Sequence, residues 1–126
     1  MPNKSNNLKV FFTIHCHQPV GNLDSAIEHN FQQAYAPFIH TLEKFPNFKI
    51  NLHYSGVLLN WLQKRQPKIF EKLQYLTENG QIEWLTGGFY EPVFSIIKSE
   101  DRIGQIQKLS DYLQHYFGQK PRGLWL

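Results

Sequence analysis

The chain has 126 residues, of which 41% are hydrophobic and 18% are charged, and its formal net charge at pH 7 is +3. This size and composition suit one globular domain and exclude an intrinsically disordered chain. The basic residues are scattered without a polybasic run, so we expect neither a nucleic-acid partner nor a membrane partner. The single cysteine, Cys16, excludes an intramolecular disulfide. A lone thiol suits a reducing compartment, and we predict a cytoplasmic location.

The first predicted elements are a strand and a long helix. Residues 8–14 are almost all apolar and rich in β-branched and aromatic side chains, which predicts a strand buried on both faces. After it, Asn22 and Asp24 can cap a helix whose apolar side chains recur at spacings of three and four as far as Leu42. Pro37 is expected to kink or divide this helix.

The rest of the chain alternates short strands with amphipathic helices. Further strands are predicted at residues 49–53, 81–85 and 123–126, and further helices at residues 57–62, 67–76 and 99–117. This alternation predicts right-handed β/α units with parallel strands. The predicted fold class is therefore α/β, with the first four units of a barrel. Four strands leave an open edge, so we expect Leu126 to mark a truncation or fragment boundary.

Two histidines follow the first predicted strand. His15 and His17 are two residues apart and so project to the same face, whereas Cys16 projects to the other. Active-site residues of α/β barrels collect at such strand ends, which favours a functional role. Two alternatives remain open. The histidines could be structural and hydrogen-bonded, or they could bind a metal with His53 or Glu83 as third ligand, although no zinc-type spacing is present.

Glu83 interrupts a predicted strand that is otherwise apolar. Because a buried carboxylate is costly unless it is paired, we expect Glu83 to face His15, His17 or the hydroxyls of a substrate. The alternative is a carboxylate at a strand end that is solvated or salt-bridged.

A glycine-rich loop follows the third predicted strand. Gly87 and Gly88 permit a sharp turn and a close backbone approach before Pro92, at the presumed active-site edge. The loop matches neither the Walker nor the dinucleotide-binding pattern, so we do not expect a phosphate site. Phe89 and Tyr90 could be platforms for sugar rings or could simply pack within the loop.

Three segments resemble the motifs of glycoside hydrolase family 57 in both order and spacing. They are His15-Cys16-His17-Gln18-Pro19-Val20-Gly21-Asn22, Gly80-Gln81-Ile82-Glu83 and Gly87-Gly88-Phe89-Tyr90-Glu91-Pro92. The terminal Gly123-Leu124-Trp125-Leu126 is similar to the start of the third motif of that family, which continues Thr-Glu-Arg. The form of the glycine loop resembles α-amylases and 4-α-glucanotransferases more than branching enzymes or amylopullulanases.

The resemblance implies an incomplete (β/α)7 barrel, with residues 1–126 as the N-terminal part of the catalytic domain. It implies retaining cleavage or transfer at α-1,4-glucosidic bonds of an α-glucan or maltooligosaccharide, without a required metal or other cofactor. A metal-dependent deacetylase of similar barrel type and an inert glucan-binding fragment are the alternatives.

The resemblance places no catalytic residue in this chain. The nucleophilic Glu is expected just after Leu126 and the acid/base Asp further on, so the chain alone is expected to be inactive. The substrate-binding residues that the resemblance implies are His15, His17, Glu83, Glu91 and Trp125.

Overall fold

A computed structural model describes residues 8–126 and shows an α/β fold with four parallel strands in one sheet. The strands are β1 (Thr13–Cys16), β2 (Ile50–Tyr54), β3 (Ile82–Thr86) and β4 (Gly123–Leu124). The α-helices are α1 (Asp24–Asn30), α2 (Ala36–Glu43), α3 (Gly56–Arg65), α4 (Pro67–Glu78) and α5 (Ser99–Phe117). The predicted parallel α/β fold is confirmed. None of the helices within residues 8–126 is long and apolar enough to span a membrane.

The strands follow the order of the chain, and their register decides which side chains share a face. Thr13 lies opposite Asn51 and His15 opposite His53, and Asn51 also lies opposite Glu83. Laterally paired residues of a parallel sheet project to the same side, so these five residues share one face. The helices cover the opposite face, where the core forms.

Trp84 lies at the centre of that core. Its side chain is fully buried, and its ring makes an edge contact with Tyr54 at 5.8 Å between centroids and lies 4.6 Å from Phe117. Its indole Nε1 donates a hydrogen bond of 2.9 Å to the hydroxyl of Thr77 on α4. The indole ring of Trp84 is therefore packed on both neighbours, and its N–H has a hydrogen-bond partner. These contacts fix α4 and α5 against the sheet.

The division of the first helix at Pro37 is confirmed. A π-helical turn, Phe31–Tyr35, joins α1 to α2, and Pro37 occupies the first turn of α2. The wider turn makes room for the pyrrolidine ring, which would otherwise clash with the carbonyl group four residues earlier.

The predicted start and burial of the first strand are wrong. β1 begins at Thr13, and Leu8, Val10 and Phe11 have exposed fractions of 87%, 75% and 80%. Within residues 8–126 the helices cover only one face of the sheet. The neighbouring strand β2 begins at Ile50, so pairing reaches back only to Phe12, whose carbonyl accepts from the Asn51 amide at 2.9 Å. β4 is also shorter than predicted and ends at Leu124.

Gly80 and Gln81 connect α4 to β3 and also hold the end of α2. Gly80 has φ 71°, a conformation that glycine adopts without strain. Gln81 is buried, and its Nε2 donates to the carbonyl groups of Leu42 and Phe45, each at 2.8 Å. Carbonyl groups at the end of a helix need such partners. The first two residues of the Gly-Gln-Ile-Glu motif therefore have a structural role.

Replacement of Gln81 with Met, which is similar in volume but has no donor, would remove one hydrogen bond from each carbonyl group and leave the backbone bond that each accepts from the amide of Phe45 or Phe48. We expect the free energy of unfolding, measured with urea, to fall by about 2 kcal/mol. Gln107→Met is the matched control, because within residues 8–126 the amide of Gln107 bonds only to exposed Asp111, and its effect should stay below about 0.5 kcal/mol. Equal effects of the two substitutions would contradict the capping role.

Candidate functional site

The ends of β1 and β2 and the loop after β3 bring three histidines and one carboxylate together. His15 Nδ1 lies 2.8 Å from His53 Nδ1. Glu91 Oε1 lies 3.3 Å from His53 Nδ1 and 3.6 Å from His15 Nδ1. The other carboxylate oxygen, Glu91 Oε2, contacts His17 Nδ1. We call these four residues the histidine–glutamate cluster. It unites three of the predicted site residues, His15, His17 and Glu91, with His53.

Trp125 covers the cluster from the segment that follows β4. Its ring is stacked on the imidazole of His15, with centroids 4.5 Å apart and an interplanar angle of 7°. Its backbone N–H donates to the carbonyl of Thr86 at 2.8 Å. Trp125 also lines an open groove of 540 Å³ together with Glu91. An indole beside polar groups offers an apolar surface and specific hydrogen bonds at the same place.

His53 is fully buried, and Gly87 permits its position. A Cβ atom on Gly87 would lie 2.6 Å from His53 Nε2 and 3.0 Å from the carbonyl oxygen of Trp125, so only glycine fits. Among residues 8–126, His53 Nε2 has no hydrogen-bond partner. Burial, and next the charges of His15 and His17, lower the pKa of His53 to about 4. His53 is therefore neutral near physiological pH.

Glu91 occupies a strained position in the glycine loop. Its φ is 50°, a region that costs an L-residue other than glycine about 1 kcal/mol or more. Its N–H donates to the carbonyl of Gly88 at 3.0 Å, which closes the turn. Burial raises the pKa of Glu91, and the charges of His15 and His17 oppose the increase. Within the described residues, the buried Oε1 atom has no partner with hydrogen-bond geometry, despite its proximity to His53.

Gln18 holds the segment that carries His15 and His17. It is buried, its N–H donates to Ser55 Oγ at 3.2 Å, and its Nε2 donates to the hydroxyl of Tyr35 at 2.6 Å. The same Ser55 hydroxyl caps α3 by accepting from the amide of Leu58. The end of β1, the π-helical turn and the start of α3 are thereby tied together.

Cys16 faces away from the cluster, as predicted, and packs against the core. Burial raises the pKa of its thiol to about 11, and the neighbouring hydroxyl of Tyr54 partly opposes the increase. A thiol with this pKa stays protonated and is a poor nucleophile.

Glu83 lies on the same sheet face as the cluster but closer to the amino ends of the strands. It is level with Asn51, two residues before the level of His53. Its oxygens accept from Asn51 Nδ2 at 3.2 Å and from the Arg122 guanidinium at 3.0 Å. It lines a separate cavity of 570 Å³. The expected pairing with His15 or His17 is therefore not formed, because the register places the carboxylate two residues closer to the amino ends of the strands. Its substrate-binding role stays a prediction.

The two aromatic residues of the glycine loop differ in their surroundings. Phe89 is buried and lies against Gly56, where an added Cβ would approach its ring to 2.4 Å. Tyr90 is exposed, and its hydroxyl accepts from Lys108 Nζ at 2.6 Å. Phe89 is thus a packing residue, while Tyr90 lies at the surface on the side of α5.

Three atoms of the cluster could also meet at one cation. His15, His53 and Glu91 each offer a ligand atom, and these atoms lie within 4.8 Å of one another. Glu83, the other candidate third ligand, is held by Asn51 and Arg122 instead. Two nitrogens and one oxygen suit zinc. The distance of 2.8 Å between the two Nδ1 atoms is equally that of an N–H···N hydrogen bond.

Gly87→Ala should disturb the cluster through the imidazole of His53. We expect the free energy of unfolding to fall by about 2 kcal/mol, because an added methyl group in a filled space forces its neighbours apart. Gly104→Ala is the control, since Gly104 lies within α5 with nothing within 4 Å of an added Cβ. It should stabilise the chain by about 1 kcal/mol in the same urea titration. Stabilisation by both substitutions would contradict the close approach.

His53 should make stability depend on pH. Because its pKa in the folded chain is about 4, below the ordinary value of about 6.5, its contribution is complete above about pH 6.5. That contribution is lost as the pH falls through about 4. The difference between the two pKa values corresponds to a loss of about 3 kcal/mol in the free energy of unfolding. Urea unfolding at both ends of this range should show that the free energy of unfolding falls more at acid pH for the unaltered chain than for His53→Asn. Equal losses would show that His53 titrates normally.

Known proteins resemble this chain in sequence. The family model described as Glycosyl hydrolase family 57 matches residues 4–126. Alpha-amylase 1 of Dictyoglomus thermophilum is 51% identical over 113 residues, which cover 90% of this chain and 16% of that protein. A 4-alpha-glucanotransferase of Thermococcus kodakarensis is 44% identical over 115 residues, which cover 91% of this chain and 18% of that protein. The chain thus spans less than a fifth of the length of these relatives.

Solved structures agree with the sequence comparison. The crystal structure of a 4-alpha-glucanotransferase from Thermococcus litoralis matches with a TM-score of 0.88 at 42% identity, covering 92% of this chain and 18% of that one. A GH57 branching enzyme from Thermococcus kodakaraensis matches with a TM-score of 0.76 at 16% identity, covering 92% and 32%, which supports the fold alone. The predicted resemblance is confirmed, and the deacetylase alternative finds no support in these relatives. The chain belongs to glycosyl hydrolase family 57.

Proposed function

We propose that residues 1–126 form the N-terminal part of the catalytic domain of an enzyme that cleaves or transfers at α-1,4-glucosidic bonds. The observation that carries the proposal is the histidine–glutamate cluster under Trp125, at the carboxyl ends of parallel strands, where α/β barrels bind their substrates. Identities of 51% to an alpha-amylase and 44% to a 4-alpha-glucanotransferase support the choice of an α-glucan.

In this proposal the chain binds and orients one sugar unit. His15 and His17 hydrogen-bond to its hydroxyl groups, Trp125 provides an apolar surface beside them, and Glu91 completes the polar wall of the groove. Glu83 is proposed to contact the sugar from its position closer to the amino ends of the strands. Holding the sugar in a fixed orientation lowers the entropic part of the barrier for the reacting carboxyl groups.

The reacting carboxyl groups are proposed to lie outside residues 1–126. A retaining enzyme needs a carboxylate nucleophile and a second carboxyl group that protonates the leaving oxygen. By the family pattern the nucleophile would lie two residues after Leu126 and the acid/base Asp would come further on. We therefore propose that these residues alone bind the glucan without turning it over.

We propose that the site works without a metal or other cofactor, and the distance of 2.8 Å between His15 Nδ1 and His53 Nδ1 supports this because it allows a direct hydrogen bond between the two rings. The free thiol of Cys16 supports a cytoplasmic location. The scattered basic residues support the absence of nucleic-acid and membrane partners.

The chain is expected to bind maltotriose, as measured by calorimetry or by NMR titration. His17→Ala and Trp125→Ala should each weaken binding about tenfold, or about 1.4 kcal/mol, through loss of a hydrogen bond or of the apolar surface. Glu83→Gln should weaken it by a smaller factor, because Glu83 lies deeper.

His29→Ala is the control for these substitutions, because His29 is an exposed residue of α1 and should leave the affinity unchanged. Absence of binding by the folded chain, or equal losses with His29→Ala, would contradict the proposed site. Turnover of maltooligosaccharides by the chain alone would contradict the proposed absence of catalytic groups.

A further inference from the structure

His15 and His17 present the same side of their rings to the interior of the cluster. His15 uses Nδ1 to contact His53, and His17 uses Nδ1 to contact Glu91. The two Nε2 atoms are therefore the ring nitrogens left to meet a ligand. Whether each Nε2 donates or accepts depends on where the proton of each neutral imidazole resides.

We propose that Glu91 and His53 are positioning residues that fix the two histidines in opposite tautomers. His17 carries its proton on Nδ1 and accepts through Nε2, whereas His15 carries its proton on Nε2 and donates. The roles toward a sugar rest on the proposed function, but the tautomers themselves do not.

The assignment of His17 follows from its contact with a carboxylate. An ionised carboxylate has no proton to donate, so the Nδ1 atom that faces Glu91 Oε2 must carry one. The neutral ring then has a free lone pair on Nε2. The left-handed backbone at Glu91, φ 50°, and its amide bond to Gly88 hold the carboxylate in this position.

The assignment of His15 follows from the surroundings of His53. If His53 donates from Nδ1, its N–H bonds to His15 Nδ1 at 2.8 Å, and its positive end lies near Glu91 Oε1. In the reverse arrangement a lone pair of His53 would lie near the carboxylate oxygen, which is closer to His53 Nδ1 (3.3 Å) than to His15 Nδ1 (3.6 Å). A buried N–H on His53 Nε2 would also have no partner among residues 8–126. An unpaired buried donor opposes that arrangement. His53 therefore donates, and His15 keeps its proton on Nε2.

The outcome is one donor and one acceptor side by side. A sugar hydroxyl both donates and accepts, so two neighbouring hydroxyl groups of one ring can satisfy His15 and His17 together. A ligand that lacks either hydroxyl leaves one imidazole unpaired in the site. Glu91 thus acts on the ligand through His17 and needs no contact with it.

The experiment is a long-range proton–nitrogen NMR spectrum of the chain with isotope-labelled histidine, which distinguishes the two tautomers of each ring. It is recorded at about pH 8, well above the ordinary histidine pKa of about 6.5, both with and without a metal chelator. Single His→Gln variants assign the signals. We expect the Nδ1–H form for His17 and the Nε2–H form for His15. His17 is the more informative residue, since neutral histidine in water favours Nε2–H.

Glu91→Ala should return His17 to the Nε2–H form. Glu43→Ala is the matched control, because Glu43 Oε2 lies 3.6 Å from His40 Nδ1 at the surface, and it should leave His17 unchanged. If Glu91→Ala fails to fold, the spectrum of the unaltered chain still decides the assignment. Nε2–H in His17, Nδ1–H in His15, or a His17 tautomer insensitive to Glu91→Ala would overturn the proposal. A spectrum altered by the chelator would also overturn it, because a bound metal would then be organising the rings.

Addition of maltotriose separates this inference from the proposed function. We expect the Nε2 signals of His15 and His17 to shift while their tautomers persist. Correct tautomers without any response to the sugar would refute sugar binding at this site and leave the positioning role intact. Exchange of either tautomer on sugar binding would overturn the positioning role.

Discussion

The parallel register between β1 and β2 determines the candidate site, because it places His15 directly opposite His53. The pleat sends both imidazoles to the face that the helices leave uncovered, and their Nδ1 atoms meet at 2.8 Å. A shift of one residue in this pairing would turn one of the two rings into the core. The buried side chains of the same strands, such as Leu52 and Tyr54, oppose that shift, since they would then leave the core. The hydrophobic pattern of β2 thus fixes the positions of polar atoms on its other face.

Several local features of the candidate site lower the free energy of unfolding. His53 is buried in its neutral form, Glu91 adopts a left-handed backbone, and Gly87 brings the main chain against an imidazole. Each of these features opposes folding by itself and persists only where the surrounding packing imposes it. Their concentration in one cluster supports the proposed role of that cluster, because strain of this kind is often found at functional sites. By contrast, Gln18 and Gln81, which also belong to the recognised motifs, use their amide Nε2 atoms as hydrogen-bond donors that stabilise the frame.

The sequence was sufficient to predict the elements whose pattern is local. The bounds of α5, Ser99–Phe117, were predicted in full, because an apolar stripe begins after polar residues and ends at Gly118, which has φ 66°. The burial of residues 8–12 could not be predicted from their hydrophobicity, since it depends on what covers the second face of the sheet. The presence of His53 in the histidine–glutamate cluster depends on the register of β1 and β2. Its position near the end of the neighbouring predicted strand was the sequence signal that could have placed it there. The partner of Glu83, Arg122, lies 39 positions away, and no local pattern connects the two.

The order of the strands in the sheet also bears on how the chain folds during synthesis. Because β1, β2, β3 and β4 are neighbours in the same order in which they are translated, each new β/α unit docks on the one made just before it. No strand has to wait for a distant segment in order to find its hydrogen-bonding partner within this sheet. Each pairing therefore spans a single β/α crossover, and the sheet can grow outward from β1 as the polypeptide leaves the ribosome.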